Sequence, residues 1–108
     1  MRNRSALAAL LLIAAPAGAL ACEMPDDLDG APWRAAVARV KYLPETEAWA
    51  RQKERERSVV QYVVLMDEPR YADKRCYWPV EIRSEGRLWK RFLVTRDGRS
   101  ALEDRAAR

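Results

Sequence analysis

Cys76-Tyr77-Trp78-Pro79-Val80-Glu81-Ile82-Arg83-Ser84-Glu85-Gly86-Arg87-Leu88-Trp89-Lys90-Arg91-Phe92-Leu93-Val94-Thr95 decides the fold, because it reads as two strands joined by a tight turn. Cys76, Trp78, Val80 and Ile82 alternate with Tyr77, Pro79, Glu81 and Arg83, the two-residue period of a strand with one buried face. Ser84-Glu85-Gly86-Arg87 then supplies a hairpin turn, with Gly86 available for positive φ. Leu88 to Thr95 is the returning strand. Its alternation places Leu88, Phe92 and Val94 on one face, with Trp89, Arg91 and Leu93 on the other. Pro79 has no N–H to donate, so its strand is expected at a sheet edge or with a bulge at that residue.

Working outward, Ser58 to Met66 is apolar on both alternations, which suits a central strand covered on both sides, or one covered on one face with a partner on the other. Asp67-Glu68-Pro69-Arg70 breaks it, and Asp97-Gly98 turns the chain towards a short last strand at Ser100 to Leu102. Upstream, Trp33, Ala36, Val37, Val40 and Leu43 recur at three- and four-residue steps, marking one face of a helix. Asp29 is placed to cap that helix, with Pro32 in its first turn. Pro44 either kinks it or starts a second helix. Glu45 to Arg57 favours helix by propensity, with Trp49 as its apolar anchor and its charge-dense end as a solvated face. The expected fold is α+β: one or two N-terminal helices packed on a three- to four-stranded antiparallel meander.

The order of a helix, then Val60-Gln61-Tyr62-Val63-Val64-Leu65, Tyr77-Trp78-Pro79-Val80-Glu81-Ile82 and Phe92-Leu93-Val94-Thr95-Arg96-Asp97-Gly98, resembles the small exported PepSY-type domains. The resemblance spans roughly residues 33–102. It implies a helix on a short antiparallel meander that ends in an Asp/Gly turn, and a role in restraining peptidases or binding envelope partners. No catalytic residues carry over.

The amino terminus has the three parts of a secretory signal. Met1-Arg2-Asn3-Arg4 is basic, Ser5 to Leu20 is almost wholly Ala and Leu, and Ala19-Leu20-Ala21 offers small residues for cleavage. Pro16 and Gly18 break an apolar run already shorter than the ~20 residues of a bilayer span. Residues 1–21 are therefore expected to be removed, leaving residues 22–108 as one small domain, periplasmic or secreted.

The cut falls just before Cys22, and this leaves two readings open. Cys22 and Cys76, the two cysteines, form a disulfide in an oxidising compartment. Alternatively, Cys22 is diacylated and anchors a lipoprotein to a membrane. The disulfide would close a loop of about 55 residues, worth about 4 kcal/mol in the chain-entropy model.

Composition restricts the chemistry. Arg2 and Arg4 leave with the signal, so the net charge falls from +4 to +2, a mixed surface unlike that of a nucleic-acid binder. The chain has no histidine, which removes the usual general base near neutral pH and the commonest zinc ligand. Ser58, Ser84 and Ser100 have no evident base, and the four glycines are scattered rather than gathered into a phosphate loop. Asp26-Asp27-Leu28-Asp29-Gly30 fails as a calcium loop, since Pro25 and Ala36 stand where ligands belong. The expectation is a non-enzyme without metal or cofactor. Residues 70–91 interleave cations with aromatics, and Trp89, Arg91, Arg87 and Tyr77 are the candidate contacts for an envelope protein partner. Trp78 is expected in the core.

Overall fold

A computed structural model of the chain describes residue 22 and residues 30–106. The expected signal at residues 1–21, and Asp29 with most of the acidic lead-in, lie outside the described residues. Within them the order is helix α1 (Gly30–Lys41), helix α2 (Pro44–Arg55), then strands β1 (Val60–Val64), β2 (Arg70–Ala72), β3 (Arg75–Ser84), β4 (Arg87–Thr95) and β5 (Ala101–Glu103). The fold is α+β, two helices followed by a five-stranded antiparallel sheet.

Pro44 starts a second helix. It occupies the first turn of α2, where its missing N–H costs nothing, and Leu43 before it is extended at φ −67° and ψ 139°. The α1 stripe packs as its spacing requires: Trp33, Ala36 and Val40 are buried, and Leu43 is partly buried beside them. Against the stripe lie Trp78, Val80 and Ile82 of β3 and Phe92 and Val94 of β4, with Tyr62 and Val64 of β1 at the margin. Trp33 and Trp78 meet edge to face, ring centres 5.4 Å apart, and Trp78 Nε1–H donates to the Met66 carbonyl at 3.1 Å. Trp78 is thus a satisfied core residue.

The sheet runs β1-β3-β4-β5, and β2 shares with β1 the same side of β3. Strand β3 is therefore central, contrary to the edge position expected from Pro79. Among the described residues β1 lies at the edge instead, with Gln61 and Val63 exposed on one face, contrary to a central position covered on both sides. The bulge is not at Pro79 either. Leu65 N–H donates to the Pro79 carbonyl at 2.9 Å, so the Pro79 nitrogen faces the gap between the end of β1 at Val64 and the start of β2 at Arg70. A donor missing there breaks no ladder.

Two further features correct the expected meander. Strand β2 is an additional short strand, joined to β3 through Asp73 and Lys74, both at positive φ (52° and 63°). The register of β3 on β4 also shifts, since Ile82 pairs with Lys90 but Arg83 pairs with Leu88. Trp89 is the extra residue of a β-bulge, so the simple alternation of β4 fails at that point.

The turns follow the sequence. Glu85 and Gly86, at φ 54° and 76°, close the β3–β4 hairpin with the two left-handed residues that match strand twist. At the β4–β5 turn Gly98 is required twice over: its φ is +76°, and a Cβ there would sit 2.6 Å from the Ala35 carbonyl oxygen of α1. This turn is pressed directly onto the helix backbone.

The disulfide joins Cys22 to Cys76, with Cα atoms 5.5 Å apart. It ties the start of the expected mature chain to β3 across a separation of 54 residues that includes both helices, β1 and β2. Among the described residues no helix is long and apolar enough to cross a membrane.

Candidate functional site

The bulge determines where the candidate residues go. Because Trp89 is displaced from the β4 alternation, its ring turns to the helix-covered face and stacks on Trp49 of α2. The two indoles are nearly parallel, 4° between planes, with centroids 4.4 Å apart. Trp89 and Arg91 therefore do not share a face, and the expected Trp89–Arg91–Leu93 surface does not form. Both indoles are half-buried, so the stack closes one end of the core and still borders solvent.

Cations flank this stack. Lys53, one turn beyond Trp49, lies 5.5 Å from the Trp49 ring centre, and Lys90 lies 5.0 Å from that of Trp89. Lys90 is also held by Glu45 of α2 at 2.7 Å and Glu103 of β5 at 3.6 Å. The hydrogen bond to Glu45 raises its pKa above the ordinary lysine value, outweighing partial desolvation. Lys53 is paired within its helix to Glu56 at 3.3 Å. Beyond the stack an open groove continues to the hairpin tip, lined by Trp49, Lys53, Trp89, Leu88, Arg87 and Glu85. Arg87 is exposed and makes no ion pair with a described residue.

The opposite sheet face carries the other two candidates, and neither is a free contact. Tyr77 is only 3 % exposed, so it is a core residue of that face rather than a partner contact. Arg91 is spent internally: its Nε–H and Nη2–H donate to Glu81 Oε2 at 3.2 and 2.7 Å, and Asp104 lies 3.6 Å from Nη1. Arg83 Nε–H donates to the other Glu81 oxygen at 2.8 Å. Glu81 is 5 % exposed, and burial pushes its carboxyl upward. The hydrogen bonds from Arg91 and Arg83 overcome that effect and hold its pKa below the ordinary value. Across the same face Arg70 of β2 reaches Asp104, beyond β5, at 3.9 Å.

Of the four candidate contacts, then, Trp89 and Arg87 meet at one groove, while Tyr77 and Arg91 belong to the framework of the far face. The sequence reading missed Trp49 and Lys53 as groove residues. Their four-residue spacing on α2 is the signal that puts both on one side of that helix. A third cluster lies beside the disulfide, where the Arg96 guanidinium stands 6.0 Å from the Trp33 ring centre. Among the described residues no acidic or sulfur cluster suits a metal ion. No family model, curated protein or solved structure matches this chain.

Proposed function

We propose that the chain is an exported, non-catalytic module of the cell envelope that binds or inhibits a protein partner through the Trp49–Trp89 groove. One observation carries this reading: a stacked indole pair open to solvent, bordered by Lys53 and by Arg87, which makes no ion pair among the described residues. Aromatic and arginine side chains are the groups that most often anchor protein interfaces. The Cys22–Cys76 bond supports an oxidising compartment outside the cytoplasm. The resemblance to PepSY-type domains implies a role of the same class.

The test uses residues 22–108 in their native envelope. A photo-crosslinker at position 87 should trap one protein, the same crosslinker at Leu102 should not, and the Lys53→Glu/Arg87→Glu double variant should lose the complex at unchanged melting temperature. Equal trapping from both positions, or capture indifferent to the charge reversal, removes the groove from the proposal.

The alternative is a lipid-tethered structural accessory, favoured by the position of Cys22 as the first residue after the expected cut, although the order Ala19-Leu20-Ala21 suits ordinary signal peptidase better. One Sγ atom cannot hold both a thioether-linked diacylglycerol and a disulfide. Intact mass of the envelope protein separates the two: a mass beginning at Cys22 and two hydrogens light supports the disulfide form, and an added diacylglycerol supports the tether.

A further inference from the structure

We propose that the outer edge of β1 pairs antiparallel with β1 of a second copy of this chain, making one sheet continuous through a two-fold dimer. Among the described residues, strand β1 ends the sheet order and is paired on one side only, with β3. The Leu65 N–H points to β3, where it meets the Pro79 carbonyl, so by alternation Gln61 and Val63 also bond inward. The N–H and C=O groups of Val60, Tyr62 and Val64 consequently point out from the open edge. Sheet edges of monomers are usually guarded by Lys, Pro, a bulge or a covering loop. This one has none of the sequence guards: Ser58 to Met66 contains no charged residue, proline or glycine, and the register of β1 on β3 is unbroken. Val59 and Val63 are 69 % and 37 % exposed along it. Tyr42, 64 % exposed, adds apolar surface on the helix side, linked to Tyr62 by Lys41, whose ammonium lies 5.9 and 6.0 Å from the two rings.

The charges bounding the strand select a second copy in antiparallel sense. Arg57 precedes β1, and Asp67 and Glu68 follow it. Neither Arg57 nor Asp67 makes an ion pair with a described residue. Antiparallel pairing centred on Tyr62 sets Val60 opposite Val64 of the other copy, and Val59 opposite its Leu65. It also brings Arg57 to the other copy's Asp67, twice by symmetry. Parallel pairing would instead set like charges side by side at both ends. The groove at Trp49 and Trp89 takes no part, so this inference does not depend on the proposed partner.

Sedimentation velocity and amide exchange on disulfide-bonded residues 22–108 test the dimer. The expected result is a concentration-dependent dimer in which the Tyr62 and Val64 amides are protected along with those of Val63 and Leu65. Arg57→Asp or Asp67→Arg alone should weaken self-association about tenfold or more, and the two together should restore it. Both positions are exposed, and the left-handed φ of 62° at Arg57 suits Asp, so the variants should fold. A monomer up to about 1 mM overturns the proposal. So does a dimer whose Tyr62 and Val64 amides exchange freely, or one indifferent to the single reversals.

Discussion

At the scale of single residues, Glu81 shows how a charged side chain becomes part of a strand's framework. It is nearly inaccessible, yet three guanidinium hydrogen bonds from Arg83 and Arg91 compensate its carboxylate. Such a group stabilises the fold only while ionised, and its folded pKa lies below its ordinary one. Its contribution is therefore complete above the unfolded value of about 4.3 and is lost as pH falls through the lower, folded value. Glu81→Gln keeps the shape and removes the charge. It should cost about 1.5–3 kcal/mol at pH 7, the usual worth of hydrogen bonds to a charged group. Urea denaturation of both proteins at pH 7 and near pH 3 checks this. The gap should narrow in acid, and a gap that stays constant would assign the cost to packing alone.

Between elements, the contact of α2 with β4 rests on one irregularity. Without the bulge at Trp89, that ring would project to the far face, and α2 would have no aromatic partner for Trp49. Trp89→Ala should accordingly destabilise the domain by about 1–3 kcal/mol, since a half-buried side chain is lost. Trp78→Ala, in the closed core, should cost about 3–5 kcal/mol. A double-mutant cycle of Trp49→Ala and Trp89→Ala should show a coupling of about 0.5–1.5 kcal/mol. Additive single effects would mean that the indoles do not stack in solution. This contact also marks the limit of what the sequence discloses. Periodicity is a local signal, so it discloses the α1 stripe and the buried Trp78, and the turn residues disclose the hairpin at Glu85-Gly86, whereas Pro44 by itself leaves a kink and a second helix both open. A bulge breaks that period, so alternation alone places Trp89 on the wrong face. Strand β2 escaped because Asp73-Lys74 is not the Asn-Gly or Asp-Gly pair that announces a two-residue turn. Arg91 and Tyr77 look like surface residues in a list of residue types. Only the cross-strand pairs of Arg91 with Glu81 and Tyr77 with Thr95 show what their neighbours are.

For the whole molecule, the disulfide is the long-range constraint that a domain of this size needs. The 87 residues that the expected cleavage would leave can bury only a limited core, and domains in this range gain little margin from packing alone. The Cys22–Cys76 bond encloses both helices and the first two strands, so reducing it frees most of the chain at once in the unfolded state. The chain-entropy value of about 4 kcal/mol is an upper figure, because Cys22 would be the first mature residue and frays readily. Cys22→Ser, Cys76→Ser and the double variant should each lower stability by the same amount, about 2–4 kcal/mol, since each removes the same cross-link. Reduction of the parent protein should reproduce that loss, because it opens the same loop without altering a side chain. Chemical denaturation of the four proteins, with and without reductant, makes the comparison. If Cys22→Ser matched the parent while Cys76→Ser lost stability, the residue that matters would be Cys76 as a packed side chain beside Trp78. The amino terminus would then be free of β3, and the Cys22 thiol would be available for the lipid that the alternative reading requires.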